Sequence, residues 1–289
     1  MVACRSSPTV GLQNVKTIIT YIIILLTATT TFALDIDPFK GPKPIAVLIQ
    51  TDPWLMVIGS DMPKITIYED GQVISLKQNE GKSPQYVHTQ LSELELNEVK
   101  KRLLSFGNYT GIKRDYDLAP NVFDLPETKI FLNLNDTKLV TIVYGLMSPG
   151  TRLRAYSTFR GQEKPDELPA SIKNLHNYLS NLKFGKSEEW TPKFVEVIIW
   201  SYEYAPDESI HWPKDWPGLD SPNTLKRNDA YSIFFPGNKM EQLREFLMTR
   251  KPKGAVEIGG KKWAVSGRYT FPSEPTWRNV FRPTDENRN

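Results

Sequence analysis

The chain has 289 residues, of which 39% are hydrophobic and 24% charged. This ordinary composition excludes a wholly disordered protein and leaves enough apolar residues for a sizeable core. With 36 basic and 33 acidic residues the net charge is only +3. Proteins that bind nucleic acids need a basic surface to displace counterions, so we expect no nucleic-acid partner.

The first 33 residues have the three parts of a secretory signal peptide. Arg5 and Lys16 supply a basic start, an uncharged segment spans residues 17–34, and Thr-Phe-Ala at 31–33 is a small-residue exit site. We predict cleavage after Ala33 and a secreted or periplasmic protein without a stable transmembrane segment. The alternative is an uncleaved N-terminal anchor, because the uncharged stretch approaches the ~20 residues that cross a bilayer.

Cysteine usage fits an exported chain that needs no disulfide. Cys4 is the only cysteine and lies inside the signal region, so the mature chain is predicted to have none. Processing also removes two basic residues and no acidic one, which leaves a net charge of +1. A disulfide framework, a thiol nucleophile and a cysteine-ligated metal are therefore not expected.

The first half of the mature chain begins with a Pro-rich leader at 34–44 and then shows two hairpins around a helix. Asp70-Gly71 between alternating runs is a strong hairpin signal, and Ser92 with Glu95 has capping-box spacing. The segment between the helix and the second hairpin, residues 107–127, looks irregular. The predicted elements are strands Ile45–Gln50, Lys64–Glu69 and Gln72–Leu76, a helix over ~93–105, and strands Thr128–Leu134 and Lys138–Tyr144.

The second half starts with loop-like residues 145–168. Apolar residues at helical spacing then predict a second helix, and Gly259-Gly260 indicates a tight hairpin. The tail from Pro283 is polar. The predicted elements are a helix over ~169–182, a linker at 183–193, strand Phe194–Tyr204, a Pro- and Trp-rich loop at 205–229, strand Tyr231–Phe235, a helix over ~239–250, and strands Ala255–Ile258 and Lys261–Ser266.

These elements predict an α+β fold, in which antiparallel sheets built from β-hairpins carry about three packed helices. We expect two subdomains, residues 34–187 and 188–289. Both contain the order strand, capped helix, hairpin, which is consistent with two related subdomains formed by a divergent duplication. The alternative is chance, because α+β proteins often repeat this order.

The runs that carry these signals resemble exported bacterial α+β proteins to which no activity is assigned. The runs are KITIYEDGQVISLK at 64–77, QLSELELNEVKKRLL at 90–104 and TKIFLNLNDTKLVTIVYGL at 128–146, followed by YSIFFPG at 231–237 and GGKKWAVSGRYTF at 259–271. The resemblance covers most of the mature chain, and its motifs are turns, a capped helix and a hairpin. It implies an α+β fold and export, and it implies no functional residue.

Catalytic and cofactor motifs are absent from the sequence. There is no HExxH, no Gly-x-Ser-x-Gly and no complete phosphate-binding loop, so no catalytic, cofactor-binding or metal-ligating residue is predicted. His88 and His176 are expected at the surface or at a strand edge. Asn108 and Asn135 match the N-glycosylation pattern, which matters only if the source is eukaryotic.

The most unusual segment is HWPKDWPG at 211–218, which repeats Trp-Pro at a four-residue interval. We predict that His211, Trp212, Asp215 and Trp216 bind a ligand or partner, since tryptophans beside polar groups suit sugar stacking or a protein hot spot. The alternative is a loop pinned to the body by its own rings. An extended interval would place the rings ~12 Å apart, one buried and one available to a partner.

The sequence therefore favours a non-catalytic extracytoplasmic binding or interaction protein, with no cofactor and with a protein or carbohydrate partner. One alternative is an extracytoplasmic hydrolase whose carboxylates meet only in the fold. It would be favoured by a cleft with two close carboxylates whose pKa values shift in opposite directions. The other alternative is a structural component associated with the cell envelope.

Overall fold

The computed structural model describes residues 37–55, 57, 61–77, 85–146, 164–222 and 224–281. This part of the chain contains four helices and fourteen strands, and the strands form two open sheets. About 20% is helical and 39% is strand. The predicted α+β class is confirmed. The predicted signal peptide at 1–33 and the polar tail from Pro283 lie outside the described residues, as does most of the predicted loop at 145–168.

The helices are α1 (Glu93–Ser105), α2 (Ala170–Asn181), α3 (Met240–Met248) and α4 (Pro275–Arg278). The strands are β1 (Pro44–Gln50), β2 (Pro63–Tyr68), β3 (Gln72–Lys77), β4 (Gln85–Gln90), β5 (Asp115–Asp117), β6 (Glu127–Leu134), β7 (Thr137–Tyr144), β8 (Glu188–Glu189), β9 (Phe194–Ser201), β10 (Asp207–His211), β11 (Thr224–Arg227), β12 (Ala230–Pro236), β13 (Gly254–Ile258) and β14 (Lys261–Tyr269).

The first sheet contains strands β1 to β8 in the order β5-β7-β6-β1-β2-β3-β4-β8. All its pairs are antiparallel except β5 with β7. The predicted turns are present: Gly71 between β2 and β3 and Asn135 between β6 and β7 both have positive φ. These turns bring neighbouring strands together along the chain, as the hairpin signals predict.

Helices α1 and α2 cover one face of the first sheet. Ser92 caps α1 through the predicted capping box with Glu95. The apolar residues of both helices, including Leu103 and Leu175, join a core with Ile65 and other residues of β1, β2 and β6. Periodic apolar spacing thus produced the helices where it was expected, and the core lies under them.

The second sheet has the order β10-β13-β14-β9-β12-β11, and α3 covers one of its faces. Gly267 in β14 allows a tight approach of this helix, because a Cβ there would lie within 3 Å of Leu243. Gly259 and Gly260 both have positive φ, as a two-residue hairpin requires. In the second sheet, the β13–β14 hairpin that follows α3 pairs with β9 through its second strand, β14. In the first sheet, the β6–β7 hairpin that follows α1 pairs with β1 through its first strand, β6. The shared order along the chain therefore does not extend to the pairing of strands.

The C-terminal segment lies between the two sheets. Phe271 and Trp277 pack on the face of the first sheet opposite α1 and α2, together with Tyr86 and Trp190. Arg278, in the same short helix as Trp277, donates to Glu196 in β9 of the second sheet. Residues from Pro38 onward belong to one compact unit. The two predicted subdomains stay a prediction, although the chain does pass from one sheet to the other between β8 and β9.

Several elements differ from the prediction. The predicted irregular segment contains β5, the predicted linker contains β8, and the predicted loop at 205–229 contains β10 and β11. Each is a strand of two to five residues at the edge of a sheet, where only one side is paired and apolar alternation is weak. Strand β9 ends at Ser201 because the chain turns there, with the Ala205 N–H donating to the Tyr202 carbonyl. Among the described residues, no helix is both long enough and apolar enough to span a membrane.

Candidate functional site

The Trp-Pro segment starts at the end of β10, not inside a loop. His211 is the last residue of β10 and pairs with Glu257 in β13. Its exposed ring places Nδ1 3.2 Å from Glu257 Oε2, and the Trp212 backbone N–H donates to the Glu257 carbonyl at 3.0 Å. The position of the segment is therefore fixed by the edge of the second sheet.

Trp212 anchors the segment. Its side chain is 8% exposed and its ring packs edge-on against Phe235 and Phe246. The indole N–H donates to the Pro217 carbonyl at 3.0 Å, which closes the loop on itself. Trp212 thus has little surface for a partner, and its contribution to a site is to hold the loop in place.

Trp216 lies much nearer to Trp212 than predicted. The ring centroids are 5.0 Å apart, in an edge-to-face arrangement, so the predicted separation of ~12 Å is wrong. The reason is a turn: the Trp216 N–H donates to the Pro213 carbonyl at 3.1 Å, so the segment folds back instead of extending. Trp216 is half-buried and also contacts Phe235 and Phe246.

The outer part of the loop is polar. Lys214 and Asp215 are exposed beside the half-buried Trp216. The loop packs on the face of the second sheet that carries Phe235, whereas Trp200 belongs to a cluster on the opposite face. The binding roles of His211, Trp212, Asp215 and Trp216 stay predictions.

A cleft of about 370 Å³ opens directly after the loop. Residues 218–220 line one side of it, and the buried side chains of Ile258 and Trp263 lie at its base with Tyr231. The volume falls in the range of ~300–1,000 Å³ that is usual for small-ligand sites. Two unlike charges, Asp220 and Lys261, stand among the lining residues.

The base of the cleft is held by specific contacts. The Tyr231 and Trp263 rings meet edge-to-face with centroids 5.5 Å apart. The Trp263 indole N–H donates to the Ile258 carbonyl at 3.1 Å, so its one polar group is already satisfied. Trp263 is only 6% exposed, so the aromatic surface of the base comes mainly from half-buried Tyr231. Hydrogen bonding to a ligand falls to the charged side chains around it.

Sequence reasoning missed this cleft because its parts are distant in the chain. Residues 218–220 adjoin the Trp-Pro segment, but Tyr231 comes from β12 and Trp263 from β14. One local signal was present: Trp263 follows the Gly-Gly hairpin closely, so it had to lie near the turn. Nothing local connects that turn to Asp220.

The fold does bring two carboxylates together, in its interior. Glu196 and Glu274 both bond to Arg268 and Arg278, and Glu196 also accepts from the Ser232 hydroxyl at 2.6 Å. Both carboxylates and Arg268 are fully buried. Burial alone would raise the pKa of Glu196, but the nearby arginines, with Ser232, lower it to about 2. An ion-paired carboxylate that is charged at neutral pH and buried in the core is not the acid and base pair that a hydrolase cleft needs.

The two other histidines lie in the first sheet and its helix layer. His88 is half-buried in β4. His176 is buried under α2, so the expectation of a surface histidine is wrong there. Its position on the helix face beside Leu175 and Leu179 places it against the sheet. Burial lowers the pKa of His176, and the positive charge of Lys64 lowers it further.

Three further results bear on the site. In the part of the chain that the structure describes, no three His, Cys, Asp or Glu side chains come together to hold a metal ion. Asn108 and Asn135, the two glycosylation patterns, are both exposed, Asn108 shortly after α1 and Asn135 in the turn between β6 and β7. The chain matches no protein-family model, no curated protein and no solved structure.

Proposed function

We propose that this chain is an exported, non-catalytic binding protein that takes a small carbohydrate in the cleft beside the Trp-Pro loop. The observation that carries the proposal is the concave cleft whose base presents half-buried Tyr231, held edge-to-face by the buried ring of Trp263. Sugars combine flat apolar C–H surfaces with hydroxyl groups, so they suit aromatic side chains that have polar neighbours.

Size and charge favour a small neutral ligand over a protein partner. The cleft's volume of about 370 Å³ falls in the range of small-ligand sites, whereas a stable protein interface is a surface that extends over ~800 Å² of each partner. Asp220 and Lys261 carry opposite charges, so together they favour no net charge on the ligand. Asp220 can accept hydrogen bonds from hydroxyl groups and Lys261 can donate to them.

The Trp-Pro loop supports the cleft from the side. Trp212 holds the loop by its hydrogen bond to Pro217, the residue before the lining segment 218–220. Asp215 and Trp216 stand on the outer part of the same loop. In this proposal they extend the binding surface for a ligand longer than one sugar ring.

The test is saturation-transfer NMR of the purified protein with a panel of neutral mono- and disaccharides. We expect at least one of them to bind and Asp220→Ala to weaken binding at least tenfold. Asp229→Ala is the matched control, because Asp229 is exposed in the β11–β12 turn and does not line the cleft. Failure of every saccharide to bind, or equal binding by both variants, contradicts the proposal.

The same samples test the alternatives. Recovery of the saccharide intact supports binding without turnover, whereas its cleavage would favour a hydrolase. Co-fractionation of the protein with membrane or wall material after high-salt washing would favour an envelope component. Export itself is tested by mass spectrometry of the extracytoplasmic material, in which we expect an N-terminus at Leu34. A full-length chain in the membrane fraction contradicts cleavage after Ala33.

A further inference from the structure

A second concave site lies on the first sheet, remote in sequence from the proposed carbohydrate cleft. It is a groove of about 470 Å³ between strands β2, β3 and β4 and the C-terminal end of α2. Ile65, Ser75 and Val87 stand side by side on neighbouring strands and form its base. Leu182 and Phe184, which follow α2, are half-buried and line the groove. The groove thus has substantial apolar surface.

Lys64 reaches this groove because β2 is irregular there. Ile49 pairs with Pro63 and Leu48 pairs with Ile65, so Lys64 is an extra residue in the ladder. Strict alternation would place it on the face opposite Ile65. The extra residue instead turns it to the same face, which is a known use of β-bulges beside functional sites.

The groove carries positive charge that nothing in the described chain neutralises. Lys64, Lys77 and Lys183 all line it, and within residues 37–281, with the gaps given above, none of their ammonium groups is in an ion pair. Glu189 follows Val87 in the same cross-strand row but does not line the groove. Lys64 is half-buried, and burial lowers its pKa.

An unpaired, half-buried ammonium is costly, because desolvation is not repaid by a counter-charge. Hydroxyl groups accompany the lysines: Ser75 and Ser180 line the groove, and the Ser180 hydroxyl lies 3.3 Å from His176 Nε2. We propose that the groove binds a small amphiphilic anion, whose apolar body lies on the half-buried side chains of Val87, Leu182 and Phe184 and whose carboxylate or phosphate head contacts Lys64.

The test is isothermal titration of the purified protein with octanoate, octyl phosphate, inorganic phosphate and 1-octanol. We expect octanoate or octyl phosphate to bind at least tenfold more tightly than 1-octanol and inorganic phosphate. The tighter of the two anions identifies the head group. If inorganic phosphate binds as tightly as octyl phosphate, the apolar body of the ligand contributes nothing and the proposal of an amphiphilic ligand is contradicted. If 1-octanol binds as tightly as the two octyl anions, the proposed role of charge is contradicted.

Lys64→Met separates recognition from folding, because methionine keeps an apolar, unbranched side chain of similar length. We expect the variant to bind the anion at least tenfold more weakly while its melting temperature stays equal or rises, since an unpaired charge has been removed. Lys173→Met is the control, because Lys173 is exposed on α2 and outside the groove. Unchanged affinity in Lys64→Met, or a large loss of stability, contradicts the proposal. Asp220→Ala should bind the anion normally, so failure of the carbohydrate proposal would leave this one intact.

Discussion

Arg268 and Glu196 form an ion pair in which neither side chain has exposed surface, with Arg268 Nε donating to Glu196 Oε2 at 2.8 Å. Their backbones are directly opposite on β14 and β9. Glu274 and Arg278, from the C-terminal segment, complete the network. The network therefore fastens the segment that packs on the first sheet to the middle of the second.

Removal of one partner should be strongly destabilising. Arg268→Met leaves two buried carboxylates with one arginine fewer, and breaking a buried pair in this way costs ~3–5 kcal/mol. The measurement is the free energy of unfolding in urea. Lys101→Met is the control, because the Lys101–Glu98 pair is exposed and such pairs contribute ~0–1 kcal/mol. A similar decrease in the free energy of unfolding in both variants would show that the buried network stabilises the fold no more than an exposed ion pair does.

Glu196 should make stability fall in acid. Its pKa is about 2 in the fold against an ordinary value of 4.5, so its contribution is present above pH 4.5 and is lost as pH falls through about 2. We expect the urea midpoint of the wild type to fall more steeply between pH 4.5 and 2 than that of Glu196→Gln. Glu203→Gln, which changes an exposed residue, should keep the wild-type slope. Parallel curves for all three proteins would contradict this assignment.

Local chemistry made much of the fold predictable. Asp70-Gly71 and Gly259-Gly260 specify turns through their positive φ, and Ser92 with Glu95 specifies the start of α1. Each signal acts within four residues, so no knowledge of the rest of the chain was needed. The apolar periodicity of α2 and α3 is also a local signal, although it extends over the length of each helix.

The sites were less predictable because they depend on distant pairing. The bulge that turns Lys64 into its groove is defined by the register with β1, about fifteen residues earlier. Asp220 and Trp263 line the same cleft only after β10 has paired with β13, the hairpin partner of β14. The Trp-Pro prediction failed in one detail for a local reason: a turn closed by Pro213 replaced the extended conformation that two prolines suggested.

Gly237 should tolerate no side chain. It follows β12, and a Cβ there would lie 1.6 Å from the Pro192 carbonyl oxygen, which belongs to backbone and cannot rotate away. Gly237→Ala must therefore shift the segment before β9, and such overpacking costs ~1–3 kcal/mol or more. Gly185→Ala is the control, because nothing lies within 4 Å of its Cβ position. Thermal unfolding that is equally affected in both variants would contradict the close approach.

The two tryptophans of the Trp-Pro loop should differ in their effect on stability. Trp212 is 8% exposed and its indole is hydrogen-bonded, so Trp212→Ala should cost ~3–5 kcal/mol, as for other buried tryptophans. Trp216 is half-buried, and Trp216→Ala should cost less. Because the rings touch, the double variant should lose less than the two single losses added together.

Urea unfolding of the two single variants and the double variant measures these losses, and saccharide titration measures binding in parallel. We expect Trp216→Ala to weaken binding while the protein stays folded, because Trp216 shares the outer part of the loop with exposed Asp215. Asp215→Ala should leave stability unchanged. Equal, large losses of stability for Trp212→Ala and Trp216→Ala would show that both rings belong to the core. The loop would then be purely structural, and binding would rest on Asp220, Tyr231 and Trp263 alone.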